Sequence, residues 1–538
     1  MKRIHIILTF LSVILVTGII YSNSLQGPFQ FDDVKRIVDI RAAQSFDIKE
    51  TFQYSKNRFL LYLTYALNFY LGKENVMGYH VLNLIIHIIS SILVFLLALC
   101  IFDSPRLSSS RLKKDQHIIA LFAALIFSTH PIQTESVTYI WQRGESMAGM
   151  FYLLAVILYA RFRLREIRNP GQRGGVSFYA LSVISIVLCS LTKPVSATLP
   201  IAILFYEMCF MSKNRFEFIK AFKKILPILA LAVVPILLAR YDVRESEGVG
   251  VRLTSYYMPY YYTKLRVLCR AFFLMLLPVN QTVEYDFTLS TSLTEPILTF
   301  YSLIFHLSLI VLALLLFKHH PLISFAIGWF YLILSGTTIL FLDDLFFEHY
   351  LYLPLFGYAL LLPMGILNLG HHMRINRKWA VGFLILLSAA YSAATYNRNR
   401  VWQTEISLWE DAVKKSPSKP RPNYTLGVYY FRAKRYEEAL KHYELALRYK
   451  PLYPEAYYRL GEYYFHLGNV EKAVATYKQA LEIKPEFFEA HLNLGFVYLN
   501  SGDYARARRC LKKALELTGE VSYIKEIETV LKEISHYE

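Results

Sequence analysis

The chain has 538 residues, more than one ordinary soluble domain needs, and 55% of them are hydrophobic. Its formal net charge is +17, but Lys and Arg fall largely in short loops between apolar runs and on a polar C-terminal region. That distribution orients a membrane protein and argues against a nucleic-acid partner. Five scattered cysteines (Cys100, Cys189, Cys209, Cys269 and Cys510) give neither a disulfide framework nor a zinc spacing.

Met1-Lys2-Arg3 precedes an apolar run from Ile4 to Tyr21 that is long enough to cross a bilayer. Tyr21-Ser22-Asn23-Ser24 is a poor cleavage site, so the run reads as a retained anchor. With the basic start in the cytoplasm, Phe31-Asp32-Asp33 is carried to the opposite side. Two adjacent carboxylates are too costly to leave in lipid and belong at the membrane surface or in a watery cavity.

Residues 58–70 read as an amphipathic helix at the interface. Further spans are expected near 81–101, 118–130, 146–159, 177–191, 196–211 and 225–240, then 298–317, 322–340, after His349, and 379–396. Basic clusters at 106–114, 161–168, 213–224, 318–320 and 371–378 fall on the cytoplasmic side of this alternation. The tyrosine-rich segment 241–262 and Asp343-Asp344 then fall outside. Residues 265–278 carry Arg266 and Arg270 and suit an interfacial helix better than a span. The expected fold is all-α: a polytopic helix bundle of about eleven spans over 1–396, amino terminus inside and carboxy terminus outside.

Residues 397–538 read as a separate repeat domain. Gly427, Gly461 and Gly495 recur at a period of 34, as do Leu426, Leu460 and Leu494, Ala439, Ala473 and Ala507, and Pro417, Pro451 and Pro485. That period and pattern are those of tetratricopeptide repeats, each a helix pair. Three repeats cover about 420–453, 454–487 and 488–521, after a half repeat containing Trp409 and Ala412 and before a capping helix.

The residues that can carry chemistry gather on the predicted outer face. They are Asp32 and Asp33, then Glu135 and Arg143 beyond His130-Pro131, Lys193 in the turn after the fifth span, and Glu348, Tyr350 and Tyr352 at the tenth. A carboxylate can take a proton from an acceptor hydroxyl, and Arg or Lys can hold a phosphate leaving group. Each has a plainer reading. Glu135 and Arg143 can be a structural ion pair, Lys193 can snorkel, and Tyr350 and Tyr352 can belong to an interfacial belt. His80 and His87 are read as packing histidines rather than metal ligands, and no metal site is indicated, although a divalent ion stays open. No Walker, GxSxG or HExxH motif occurs.

These residues together resemble the transmembrane, tetratricopeptide-repeat-containing O-mannosyltransferase family of the GT-C glycosyltransferases. Phe31-Asp32-Asp33, Arg58 with Leu63-Thr64 and Asn68, and Gly78-Tyr79-His80 with Asn83 and His87 carry the resemblance. His130-Pro131 with Glu135 and Arg143, and Glu348 with Tyr350-Leu351-Tyr352-Leu353-Pro354, complete it. It implies a GT-C membrane domain, a polyprenyl-phosphate-sugar donor bound within the membrane, and an inverting transfer to an acceptor hydroxyl, Ser or Thr of a protein, on the non-cytoplasmic face. By that resemblance Asp32 or Asp33 is the base, with Asp32 preferred. Glu135, Arg143 and Lys193 order the site or hold the phosphate, and the motif around Tyr350 lines the pocket. His349 departs from the pattern, standing where an Arg is expected, which weakens the phosphate contact there.

Two rivals remain open. One is a non-enzymatic scaffold whose repeats assemble an envelope or secretion complex. The other is a transferase acting on glycans or lipids. Short loops and few repeats favour a bacterial inner membrane with periplasmic repeats, or an endoplasmic reticulum membrane with lumenal repeats in a eukaryote.

Overall fold

The computed structural model describes residues 3–169, 175–241, 257–339 and 344–537, and these contain helices and turns but no strand. Within the segments named above, 242–256 and Asp343 lie outside the described residues. The chain divides into two units, Met1–Val283 with Phe287–Thr404, and Glu284–Asp286 with Glu405–Glu538.

The principal helices of the first unit begin with α1 (Arg3–Tyr21), α2 (Phe59–Gly72) and α3 (Val76–Phe102), followed by α4 (Gln116–Thr129) and α5 (Arg143–Arg168). Next come α6 (Val176–Ser190), α7 (Leu199–Tyr206), α8 (Arg215–Ala230) and α9 (Tyr257–Leu276). The unit closes with α10 (Leu298–Leu316), α11 (Pro321–Ile339), α12 (Leu355–His372) and α13 (Arg377–Arg400).

Among the described residues eight helical segments are long and apolar enough to cross a membrane. The number is nine if Arg111–Thr129 and Pro131–Thr138, bent by 49°, form one broken span. The expected eleven is not confirmed among the described residues. Helix α6 has 15 residues and so rises about 22 Å, short of the ~30 Å of hydrocarbon. Helix α12 has 18 residues but spends Asn368, His371 and His372 among them. Helix α9 carries Lys264, Arg266 and Arg270 and is not among the candidates.

Local sequence explains the elements that position the site. Helix α3 is capped by Asn75, whose side chain accepts from the Met77 N–H at 3.1 Å, a standard N-cap. His80, Asn83, His87, Ser90 and Ser91 then make one polar stripe along an otherwise apolar helix, and all five are buried. Such a stripe faces the bundle and not lipid. The break after α4 falls at His130-Pro131, where proline removes a backbone donor. His130 compensates twice: Nδ1 accepts from the Ile132 N–H at 3.2 Å and Nε2 donates to the Met275 carbonyl at 3.1 Å.

The second unit runs through α14 (Glu405–Lys415) and the pairs α15 (Pro420–Arg432) with α16 (Tyr436–Tyr449), α17 (Pro454–His466) with α18 (Val470–Ile483), and α19 (Phe488–Asn500) with α20 (Tyr504–Leu517). Helix α21 (Val521–Glu533) follows. The periodic glycines let the paired helices touch. A Cβ on Gly461 would stand 2.7 Å from the Tyr477 ring, on Gly427 2.7 Å from Tyr443, and on Gly495 2.9 Å from Leu511.

Gly461→Val is therefore expected to destabilise the array by about 1–3 kcal/mol through overpacking. The check is urea-dependent proteolysis of the full chain, followed by cleavage between 420 and 520. Gly336→Val is the control, since a Cβ there meets nothing within 4 Å. Equal resistance of both variants would remove the close-contact role of Gly461.

Candidate active site

The turn bearing the adjacent carboxylates is held in a conformation that its residues do not favour alone. Phe31 has φ of 49°, uncommon for a bulky side chain. Surrounding contacts impose it. The Phe31 ring packs against Tyr139 at 5.4 Å and Trp402 at 6.2 Å, these two stack at 5.8 Å, and Gln30 Nε2 donates to the Trp402 carbonyl at 2.8 Å. A strained residue fixed on all sides beside polar groups is a common mark of a functional turn.

The two aspartates meet different fates. Asp32 is exposed, with its backbone N–H donating to the Tyr139 hydroxyl at 3.1 Å. Asp33 is 1% exposed, and both its oxygens are occupied: Oδ2 accepts from the Gln30 N–H and Oδ1 from the Trp141 N–H, each at 2.8 Å. Burial pushes the Asp33 carboxyl from 3.8 up to about 8, against the pull of the two N–H donors. Asp32 is free to meet a substrate. Asp33 is the bolt that ties the turn to the segment before α5.

That segment, residues 130–145, is where the remaining candidates converge. Glu135 and Arg143 do not pair. The Glu135 carboxylate instead accepts from His349 Nδ1 at 2.6 Å, both residues being buried. Burial, with Lys193 nearby, drives the His349 imidazole well below its ordinary range, so it is neutral at physiological pH.

Arg143 has no exposed surface. Its Nε donates to Asn83 Oδ1 at 2.6 Å, Nη1 to Thr64 Oγ1 at 3.0 Å and Nη2 to the Tyr79 carbonyl at 3.1 Å. The guanidinium lies 4.6 Å from the Tyr65 ring centroid and 5.7 Å from that of Tyr79. It joins α2, α3 and α5 and is not presented to a phosphate.

Lys193 remains half-buried beside the site, its ammonium bonded to the Glu145 carboxylate and 3.5 Å from Gln142 Oε1. Glu348 is 1% exposed and clamps a loop, accepting from Gln281 Nε2 at 2.7 Å and the Thr282 N–H at 2.8 Å. Tyr352 has no exposure either. Its hydroxyl donates to His87 Nδ1 at 3.0 Å, and its ring fills the space that a side chain on Gly149 would take. Two expectations are thus corrected: Tyr352 packs the bundle instead of lining a pocket, and Arg143 is enclosed. Tyr350 is half-buried, with its ring 4.6 Å from His349. His80 and His87 are packing residues, His80 Nε2 donating to the Gly27 carbonyl at 2.9 Å. Among the described residues no three His, Cys, Asp or Glu side chains come together as a metal site.

Lys264, 3% exposed on α9, donates to the Leu345 carbonyl at 2.6 Å. It falls between the two segments read as a tyrosine-rich loop and an interfacial helix, yet a lysine on the same stripe as Tyr260, Val267 and Ala271 was a legible signal of a buried cation.

Fold and site define a polytopic helical membrane protein, with carboxylates and cations gathered around the turns near Asp32, joined to a tetratricopeptide array. Tetratricopeptide-repeat models match residues 406–452, 430–479, 461–502 and 488–520. The chain is 25% identical over 440 residues to a protein O-mannosyl-transferase of Caenorhabditis elegans, covering 76% of this chain and 58% of that one. It is 23% identical over 484 residues to the protein O-mannosyl-transferase TMTC3 of Homo sapiens, covering 80% and 50%. The chain thus spans about half the length of the curated relatives it matches. Among solved structures, the archaeal oligosaccharyltransferase AglB from Archaeoglobus fulgidus aligns at 14% identity over 78% of this chain and 59% of that one, with a TM-score of 0.42. Over most of its length, then, the chain is similar to the tetratricopeptide-repeat O-mannosyltransferases its motifs resemble.

Proposed function

We propose that the chain is an integral-membrane GT-C glycosyltransferase that moves a sugar from a polyprenyl-phosphate donor to a Ser or Thr hydroxyl of a protein. The observation that carries this reading is the exposed Asp32 carboxylate on a rigidly held turn, with Lys193 beside the same 130–145 segment. Asp32 takes the hydroxyl proton as the acceptor oxygen attacks the anomeric carbon. The bond from that carbon to the phosphate oxygen breaks with inversion, and the phosphate departs with the electron pair, its charge met by a lysine. Asp33, Glu135 with His349, and Arg143 position this surface without touching substrate.

The reaction belongs on the non-cytoplasmic face, periplasmic or lumenal, because the basic loops select the opposite side. Helices 405–538 form a repeat surface of the kind that holds extended peptides, and this domain recruits the acceptor.

Purified membranes containing the full chain, given a panel of radiolabelled polyprenyl-phosphate sugars, are expected to transfer label to protein from at least one donor. Failure with every donor, with cell extract supplying acceptors, would overturn the enzyme in favour of a scaffold. Label appearing in glycan or lipid instead of protein would overturn the acceptor assignment alone.

A further inference from the structure

Transfer to a protein needs an accessible hydroxyl, and one stretch of this chain offers several. Residues 277–297, between α9 and α10, form neither helix nor strand. A loop of that length within a compact unit is ordinarily functional. Its centre reads Thr288-Leu289-Ser290-Thr291-Ser292-Leu293-Thr294-Glu295-Pro296, with a hydroxyl at five of the seven positions from 288 to 294. Ser- and Thr-rich sequence with proline is the composition of O-glycosylated segments.

Burial separates this stretch from other hydroxyls on the face assigned to transfer. Thr51, Ser55, Thr134, Thr138, Thr192 and Ser196 are all buried. Thr288, Thr291 and Thr294 are exposed. Bonds on the inner side of the loop fix this display. Ser290, with no exposed surface, is the inward peg: its N–H donates to Thr263 Oγ1 and its hydroxyl meets Thr299 Oγ1, both at 2.8 Å. Arg266 donates to the Thr288 carbonyl, and the Thr291 N–H donates to the Glu295 carbonyl at 3.0 Å. Upstream, Glu348 holds Gln281 and Thr282. The threonines on either side of the peg are therefore presented outward on a backbone that is held in place.

We propose that Thr288, Thr291 and Thr294 are acceptors for the chain's own reaction, glycosylated by a second copy of the protein. The proposal rests on the reading of the chain as a transferase to Ser or Thr and adds one particular acceptor. The hydroxyl partners of Thr291 and Thr294 lie within the loop, Glu295 Oε2 at 3.0 Å and Ser292 Oγ at 3.3 Å. A loop bonded to itself and pinned at Gln281, Thr282 and Ser290 has little slack to carry these hydroxyls to the Asp32 of its own chain. Displayed outward, they meet the Asp32 of a neighbour. The bond from a threonine Oγ to the anomeric carbon forms as the bond from that carbon to the phosphate oxygen breaks. Asp32 of the modifying copy takes the hydroxyl proton, and the polyprenyl phosphate leaves with the electron pair.

The test places an affinity-tagged full chain carrying Asp32→Asn in vesicles with untagged wild type. The panel of radiolabelled polyprenyl-phosphate sugars is added, with cell extract as a second source of acceptors. The tagged chain is expected to gain label at residues 288–294, located by fragmentation mass spectrometry, and to gain none when wild type is left out. Thr288→Ala, Thr291→Ala and Thr294→Ala together remove most of that label, and the three corresponding Thr→Ser changes retain it. The same alanine changes in an otherwise wild-type chain leave transfer to extract proteins intact, which shows that the loop is an acceptor and not part of the machinery. Label in extract proteins with none in the tagged chain would overturn the assignment and leave the enzyme standing, as would label that survives the alanine changes. Label confined to the wild-type copies would put the transfer within one chain and overturn the exchange between copies. No label in any protein would overturn the transferase reading, and this proposal with it.

Discussion

Asp32→Asn is expected to lower sugar transfer about 100-fold or more, the usual contribution of a positioned general base, without disturbing the fold. The carboxylate is exposed and its backbone N–H, not its side chain, makes the contact to Tyr139, so thermal stability should stay within about 0.5 kcal/mol of wild type. Asp33 reverses the pattern. Its side chain receives the Gln30 and Trp141 N–H groups, and Asp33→Ala strands two buried donors at a cost of about 1–3 kcal/mol each. Transfer should fall in that variant through a displaced turn, together with a lower melting temperature.

A pH readout separates the two further. The Asp33 carboxyl is raised from 3.8 to about 8, so the folded state binds its proton more tightly than the unfolded chain does. Its stabilising contribution is complete below about pH 4 and is lost as pH rises through about 8. Asp33→Asn should flatten that part of the stability profile, and Asp32→Asn should not. If Asp32→Asn transferred normally while Asp33→Asn, still folded, lost transfer, the base would be Asp33 and the present assignment wrong.

Much of this organisation can be read in the chain because it rests on periodicity. A repeat of 34 residues with glycine where paired helices touch admits few solutions, and the close approach of Gly461 to Tyr477 is the physical content of that pattern. The apolar runs are legible for the same reason, though their number is not. Whether α6 or α12 crosses depends on a few residues at the ends, and composition alone draws that line poorly. At the site, the order of motifs identifies the neighbourhood but not the direction in which each side chain points. Glu135 and Arg143, eight residues apart, look like partners in sequence. The Pro131 bend and the short turn before α5 instead send Glu135 to His349 and Arg143 to Asn83, residues some 200 and 60 positions away along the chain. Nothing local encodes those pairings.

Arg143 offers the other large effect, because two roles for it predict different measurements. As a phosphate ligand, its replacement would raise the donor KM and leave the fold alone. As the enclosed link between α2, α3 and α5, it should behave otherwise. Lysine keeps the charge but cannot reproduce a planar fork that reaches Asn83, Thr64 and the Tyr79 carbonyl at once from a position over the Tyr65 ring. Arg143→Lys is therefore expected to destabilise the protein by about 2 kcal/mol, as buried acceptors lose their donors. It should lower kcat with little change in donor KM, since the 130–145 segment shifts under Asp33 and Glu135 while the enclosed guanidinium itself makes no donor contact. Asn83→Ala removes one acceptor of the same network and should produce a smaller version of the same split, not additive with Arg143→Lys because the two residues share a bond. A stable Arg143→Lys protein whose donor KM alone has risen would place the guanidinium on the phosphate after all, in a state of the site more open than the one seen here.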